Sequence, residues 1–169
     1  VKLAELLSKI NIDFKASGNV SFDEIVVRDI AIDSRLVKEG SVFFALPSKV
    51  KGAKNGWEFI DDAIRNGAVA VVAHSFLDKI PQNILAIETS LPSILLENFL
   101  KILYSPLPNN LYAVTGTNGK TSVAEFTRQI LQLLGKKAAS IGTLGVVCDE
   151  ISQDELQNSS LTTPDIVSL

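Results

Sequence analysis

The sequence predicts an α/β fold, and two observations carry that prediction. Short apolar or β-branched runs alternate with segments whose apolar residues recur at helical spacing, which is typical of sheets covered by helices. Residues 105–110 are rich in proline and asparagine and interrupt both periodicities. We therefore expect a first domain over residues 1–107 and the first part of a second domain over residues 108–169.

The first domain is predicted to alternate helices and strands. Gly67 can end the second helix, because glycine accepts the left-handed conformation found at helix ends. Pro92 suits the first turn of the third helix, where its missing N–H costs nothing. Apolar spacing predicts helices over residues 2–10, 57–64 and 92–104, and apolar or β-branched runs predict strands over residues 25–33, 41–46, 68–73 and 84–87.

The second domain is predicted to begin as strand, loop and helix. Its apolar helix face carries Val123, Phe126, Ile130 and Leu134. Roughly 60 residues follow the boundary, fewer than a complete doubly wound domain needs. We therefore expect a truncated second domain whose helix face is partly uncovered. The predicted elements are a strand over residues 111–114, a glycine-containing turn over 115–119, a helix over 120–134 and a strand beginning at 138.

Composition excludes several classes of partner. The 169 residues carry a formal charge of −3 without a basic run, so there is no electrostatic footprint for nucleic acid or an anionic membrane. No stretch reaches the roughly 20 apolar residues of a membrane span. A single cysteine excludes an internal disulfide, and the absence of methionine indicates a trimmed chain. We expect a cytoplasmic monomer.

A candidate phosphate-binding loop occupies residues 115–122, which read Thr-Gly-Thr-Asn-Gly-Lys-Thr-Ser. Backbone N–H groups in such a turn converge on an anion, and the following helix adds its positive amino-terminal end. Lys120 would reach the β and γ phosphates of a nucleotide, and Thr121 stands where a P-loop places a ligand for Mg²⁺. These residues predict ATP or a related nucleotide as the ligand.

The loop departs from the general P-loop pattern in one position. That pattern places a glycine five residues before Gly119, where this chain has Val114. The alternative is a glycine-rich turn between a strand and a helix with an incidental lysine. The agreement of strand, loop and helix favours nucleotide binding.

The loop resembles the ATP loop of the Mur ligases, which join amino acids to the peptide of bacterial cell-wall precursors. Within the family, the chain is similar to the ligases that add the third amino acid to UDP-N-acetylmuramoyl-L-alanyl-D-glutamate. The resemblance spans nearly the whole chain. Beyond the loop it rests on Asp33, Ser34, Arg35, Gly40, residues 43–46, Gly56, Phe59, Ile60, Ala63, residues 67–72, residues 142–145 and residues 161–165.

The resemblance implies roles for particular residues. Ser34 and Arg35 would lie near the uridine diphosphate of the substrate, and Thr162 and Thr163 would bind its muramoyl or peptide end. Thr121 would also hold Mg²⁺. The substrate carboxylate would be activated as an acyl phosphate, which the amine of an amino acid attacks. The residues implied in ATP binding are Gly116, Thr117, Asn118, Gly119, Lys120, Thr121 and Ser122.

The resemblance also implies what the chain lacks. The family's carbamoylated lysine, its metal-binding glutamate and the domain that receives the amino acid are expected beyond Leu169. We therefore expect no catalytic residue within this chain, no activity from it alone, and weakened ATP binding. The identity of the added amino acid, meso-diaminopimelate or lysine, is read by that later domain.

Three other interpretations stay open at the level of sequence. The first is the related ligase that adds the terminal D-Ala-D-Ala dipeptide, which the Thr-Thr-Pro element at residues 162–164 disfavours. The second is a relative of folylpolyglutamate synthetase, which has a similar ATP loop. The third is a nucleotide-binding module without catalysis. For residues 33–35, the structural alternative is a strand end whose Asp or Ser caps the next turn.

Overall fold

The computed structural model describes residues 1–48, 50–75, 80–106 and 108–148. The chain divides into two compact units, the first over Val1–Leu107 and the second from Pro108 onward. The helices are α1 (Leu3–Ser8), α2 (Ile60–Arg65), α3 (Pro92–Leu103) and α4 (Lys120–Leu133). The strands are β1 (Lys15–Ser17), β2 (Asp29–Ala31), β3 (Ser41–Ala45), β4 (Ala68–Ala73), β5 (Leu85–Glu88), β6 (Ala139–Gly142) and β7 (Gly145–Cys148).

The first unit is built on a five-stranded sheet in the order β1-β5-β4-β3-β2. Strands β2 to β5 run parallel, and each pairs with the next one along the chain. Strand β1 closes one edge by pairing antiparallel with β5. This parallel-rich sheet confirms the predicted α/β class. It also explains the continuous apolar runs, because parallel strands are covered on both faces.

Helices cover the two faces of this sheet. All five residues of β3 are buried, and its successive side chains point to opposite faces. Phe43 joins a buried cluster with Ile60 and Ala63 of α2, whereas Phe44 packs edge-on against Phe99 of α3 with ring centroids 5.6 Å apart. The first unit is therefore a three-layer α/β/α arrangement.

Gly56 allows a close backbone approach beside β3. A Cβ atom at Gly56 would lie 2.6 Å from the Leu46 amide nitrogen and 2.7 Å from its carbonyl oxygen. The Gly56 amide also donates to that oxygen at 2.8 Å. A side chain would therefore collide with backbone that cannot rotate away. This contact fixes the start of the 3-10 turn Gly56–Phe59, which leads into α2.

The second unit contains α4 and a hairpin of β6 and β7. The strands pair antiparallel from Ala139↔Cys148 to Gly142↔Gly145, so Thr143 and Leu144 form a two-residue turn. The prediction of a strand over residues 111–114 is wrong, since this segment is irregular and Leu111 is 89% exposed. Among the described residues it has no strand to pair with, and an apolar run alone does not make a strand.

The two units differ in their cores. Every buried apolar side chain of the described residues lies in the first unit, while the buried residue of the second is Arg128. The apolar face of α4 is open, with Phe126 62% exposed and Ile130 56% exposed. The helix face expected to be uncovered is thus exposed. No helix in the described ranges has the length and apolar character needed to cross a bilayer.

Candidate functional site

The glycine loop and α4 form the first candidate site. Gly119 caps α4 in a left-handed conformation with φ of 76°, and Gly116 also has a positive φ of 152°. A non-glycine residue would be strained at either position. The loop thereby turns directly into the amino terminus of a 14-residue helix. Unpaired N–H groups and the helix dipole at that end favour an anion.

Lys120 places its charge over the loop. Its Nζ donates to the Gly116 carbonyl oxygen at 2.5 Å and lies 3.4 Å from the Thr117 carbonyl oxygen. The lysine is exposed, so the ammonium group is available to a ligand from solvent. A cation and a helix amino terminus therefore meet at one place. The arrangement has the chemistry of a phosphate site.

Thr121 contacts the hairpin turn next to the loop. Its Oγ1 lies 2.8 Å from Oγ1 of Thr143, and either hydroxyl can be the donor. A second contact ties α4 to β6 one helical turn later, where Ser140 Oγ donates to Glu125 Oε2 at 3.0 Å. These two hydrogen bonds join the start of α4 to the hairpin.

Polar side chains at helical spacing carry this contact along α4. Arg128 donates its Nε to both carboxylate oxygens of Glu125, at 2.9 and 3.0 Å, and is itself 8% exposed. Hydrogen bonds from Arg128, Gln129 and Ser140 lower the pKa of Glu125 to about 2. At neutral pH the Glu125 side chain is therefore an ionised carboxylate, which accepts these hydrogen bonds. The polar face of α4 faces the hairpin, while its apolar face is exposed.

The second candidate site lies at the end of β2. Asp33 precedes a 3-10 turn over Ser34–Leu36 and accepts from the Arg35 amide at 2.9 Å. The same carboxylate accepts from Arg35 Nε at 3.0 Å and from Nη2 at 2.6 Å. The Arg35 side chain holds the pKa of Asp33 below its ordinary value, and Asp33 raises that of Arg35. Asp33 therefore caps the turn, as the structural alternative for residues 33–35 predicts.

Ser34 opens onto a cleft shared with α2. The cleft has a volume of about 380 Å³ and is lined by Ser34, Arg35, Asp62, Arg65 and Asn66. Asn66 donates from Nδ2 to the Ser34 carbonyl oxygen at 2.8 Å, which fixes the turn against the end of α2. Ser34 is 6% exposed, whereas the Arg35 side chain is 85% exposed. Arg35 can therefore reach toward a ligand without loss of packing.

The predicted site residues fall into three groups. Residues 116–122 lie together on one loop and helix start, and Ser34 and Arg35 line the cleft of the first unit. Thr162 and Thr163 lie outside the described residues. Sequence reasoning missed Thr143 and Glu125 as neighbours of the loop. Glu125 follows Thr121 at helical spacing, which predicts a shared helix face but not its contact with Ser140 of the hairpin. Thr143 is 22 positions from Thr121, a separation that carries no periodic signal, although residues 142–145 resemble the family.

Comparison with a protein-family model gives a match in the second unit. The Mur ligase middle domain model matches residues 114–169, which include the glycine loop and α4.

Curated relatives match across both units. The UDP-N-acetylmuramoyl-L-alanyl-D-glutamate–2,6-diaminopimelate ligase of Zymomonas mobilis is 45% identical over 143 residues, covering 84% of this chain and 27% of that protein. The protein of the same name from Mesorhizobium japonicum is 40% identical over 172 aligned residues, covering 100% of this chain and 32% of that protein. The chain therefore spans about three tenths of the length of these relatives.

Solved structures share the fold. A UDP-N-acetylmuramoyl-L-alanyl-D-glutamate–2,6-diaminopimelate ligase superposes with a TM-score of 0.61 at 23% identity, over 89% of this chain and 29% of that one. The MurF ligase of Thermotoga maritima, in complex with ADP, gives a TM-score of 0.52 at 26% identity over 68% of this chain and 25% of that one.

Proposed function

The chain belongs to the Mur ligase family, and from that premise we propose that it forms the amino-terminal part of an ATP-dependent ligase. The proposed reaction joins 2,6-diaminopimelate to UDP-N-acetylmuramoyl-L-alanyl-D-glutamate. The observation that carries the proposal is the 40% identity to the Mesorhizobium japonicum ligase across 100% of this chain. Identity confined to the glycine loop would support nucleotide binding alone, whereas here it includes the first unit.

The glycine loop is the proposed ATP site. Gly116, Thr117, Asn118 and Gly119 would wrap the phosphates, with Lys120 neutralising charge on the β and γ groups. Thr121 and Ser122 follow at the start of α4, where the N–H groups are unpaired. The described residues fit this ligand, because they combine an exposed ammonium group with glycines in left-handed backbone conformations.

Mg²⁺ is the proposed companion of ATP. Thr121 offers a hydroxyl oxygen at the helix start, and oxygen is the ligand that Mg²⁺ prefers. When bound, Mg²⁺ would neutralise charge on the phosphate oxygens. The residues of this chain would hold the nucleotide in place and orient its terminal phosphate.

The proposed chemistry proceeds through an acyl phosphate. The γ-phosphoryl group would pass from ATP to an oxygen of the substrate carboxylate, releasing ADP. The amine of diaminopimelate would then attack the carbonyl carbon, forming the C–N bond as the C–O bond to phosphate breaks and the nitrogen loses a proton. Such a transfer depends on positioning and charge neutralisation more than on a covalent side chain. The loop supplies both.

The cleft at the end of β2 is the proposed site for the uridine diphosphate part of the substrate. Arg35 has guanidinium protons beyond those bonded to Asp33, and arginine suits phosphate oxygens. Ser34 adds a hydroxyl beside it. Thr162 and Thr163 are proposed to bind the muramoyl or peptide end of the same molecule.

Calorimetric titration of this chain with UDP-N-acetylmuramoyl-L-alanyl-D-glutamate tests the substrate assignment. We expect saturable binding that Ser34→Ala weakens, because the variant removes one polar contact, worth about 0.5–1.5 kcal/mol. Ser8→Ala is the matched control, since the Ser8 hydroxyl bonds only locally to the Glu5 carbonyl oxygen. Equal affinities of the two variants would contradict the role of Ser34.

The same titration separates the two ligase types of the family. A ligase that adds the third amino acid binds the muramoyl dipeptide, whereas a dipeptide-adding ligase binds the muramoyl tripeptide. Preference for the tripeptide would overturn the proposed reaction. Lys120→Ala should lower ATP affinity, and Lys101→Ala is its control because Lys101 pairs with Glu97 on the surface of α3.

A further inference from the structure

Thr143 lies in the turn of the β6–β7 hairpin, outside the contiguous loop motif of residues 115–122. Its hydroxyl is 2.8 Å from that of Thr121, the residue proposed to contact Mg²⁺. The contact joins residues 22 positions apart. It therefore depends on how the hairpin meets α4.

The chemistry of a hydroxyl group gives this contact a direction. A threonine hydroxyl has one proton to donate and two lone pairs that accept. To bind a cation, Thr121 must direct a lone pair at the metal and its proton elsewhere. Thr143 Oγ1 stands at hydrogen-bond distance and can accept that proton.

The hairpin is held where this acceptor is needed. Ser140 on β6 donates to Glu125 at 3.0 Å, and Gln132 Nε2 lies 3.4 Å from the Ala138 carbonyl oxygen. The two-residue turn leaves the backbone of Thr143 little freedom, because Gly142 and Gly145, which flank the turn, pair with each other. The position of Thr143 is thus set by the hairpin turn and by hydrogen bonds between α4 and the hairpin.

We propose that Thr143 is a positioning residue that accepts the hydroxyl proton of Thr121 and so orients the Thr121 oxygen toward Mg²⁺ bound with the nucleotide. The inference rests on the proposed ATP site. Thr143 acts through Thr121 and itself touches neither metal nor phosphate. Its loss should therefore weaken the contribution of Mg²⁺ to nucleotide binding and leave metal-free binding unchanged.

The test compares ATP affinity with Mg²⁺ and with EDTA, measured by calorimetry on the full chain. In Thr143→Val, the dissociation constant for Mg²⁺-ATP should rise roughly three- to tenfold, the equivalent of one lost hydrogen bond. The constant for metal-free ATP should stay at the wild-type value. Thr143→Ser keeps the hydroxyl, so the gain in ATP affinity on adding Mg²⁺ should be the same as in the wild type.

Two further variants complete the design. Adding Thr143→Val to Thr121→Val should have no further effect, because the two residues would act as one unit. Thr127→Val is the matched control, since the Thr127 hydroxyl donates to the Val123 carbonyl oxygen within α4.

The outcomes separate this inference from the proposed function. An unchanged Mg²⁺ effect in Thr143→Val, with wild-type ATP binding intact, overturns the role of Thr143 alone. Equal weakening of metal-free and Mg²⁺-ATP binding also overturns it, because that result indicates general damage to the loop. Absence of ATP binding by the wild-type chain overturns the proposed nucleotide site and the inference that depends on it.

Discussion

At the scale of single residues, two glycines of one loop region serve different needs. A Cβ at Gly56 would meet backbone atoms of Leu46 at 2.6 and 2.7 Å, while a Cβ at Gly52 would meet nothing within 4 Å. Gly52 has a φ of 83°, so its requirement is conformational. Gly56 is constrained by its neighbours in space.

These two glycines give a matched pair of variants. Gly56→Ala should lower the free energy of unfolding by about 2–3 kcal/mol through overpacking. Gly52→Ala should lower it by about 1 kcal/mol, the cost of a left-handed backbone at a residue with a Cβ. Urea unfolding followed by the fluorescence of Trp57, the single tryptophan, measures both. Equal losses would contradict the close approach at Leu46.

The lowered pKa of Glu125 predicts how the stability of α4 in the second unit depends on pH. Its pKa is lowered to about 2 from an ordinary 4.5, so it binds protons more weakly in the folded state than in the unfolded state. Its contribution is complete above about pH 4.5 and is lost as the pH falls toward 2. In the wild type, the protection of α4 amides from hydrogen exchange should therefore fall as the pH drops from about 4.5 to 2. In Glu125→Gln, this protection should depend less on pH over the same range.

Amide exchange of α4, followed by NMR between pH 5 and pH 2, measures that effect. Glu97→Gln on α3 is the control, since it changes a surface carboxylate of the other unit. A Glu125→Gln variant with the wild-type acid profile would show that the contacts of Arg128 and Ser140 do not hold α4 in place.

At the scale of elements, α3 and α4 are both amphipathic but bury opposite faces. Phe99 of α3 is fully buried against Phe44, whereas Phe126 of α4 is 62% exposed. Phe99→Ala should cost about 3–5 kcal/mol by leaving a cavity. Phe126→Ala should change stability by less than about 0.5 kcal/mol. Denaturant midpoints of the two variants test this difference, and a large loss in Phe126→Ala would show that its face is covered.

The elements also show what sequence patterns can predict. Strand β4 has the predicted bounds, 68–73, because its apolar run ends at turn residues on both sides. Residues 111–114 are also apolar but have no strand partner among the described residues, so the prediction of a strand there is wrong. Strand β1 was missed because Lys15–Ser17 is short and exposed, and its pairing with β5 is long-range.

Some residues of the candidate site could be predicted from the sequence and others could not. The glycine loop is readable from the sequence because its glycines, lysine and hydroxyl residues are contiguous, and the structure has α4 begin at Lys120 as the motif requires. Thr143 and Asn66 were missed because each contacts a partner on another element, 22 and 32 positions away along the chain. Sequence patterns can identify site residues that are adjacent in the chain. Contacts between residues on different elements can be identified only once the fold is known.

At the scale of the whole molecule, the buried apolar residues are unevenly distributed. All of those in the described ranges belong to the first unit, the last being Phe99. Protection from exchange follows buried contacts. We therefore expect amides of β3 and β4 to exchange at least tenfold more slowly than those of α4, measured by hydrogen exchange at neutral pH on the full chain. Equal protection would contradict this division of stability.

The strand order has a consequence for synthesis on the ribosome. Strands β2, β3, β4 and β5 add to the sheet in the order in which they leave the exit tunnel, so each finds its neighbour already present. Strand β1 is made before the other four strands of this sheet, but its partner lies about 70 residues later, where Lys15 pairs with Glu88. The earliest strand of this sheet is thus the last to pair, and the translation of β5 sets the moment at which this edge of the sheet can form.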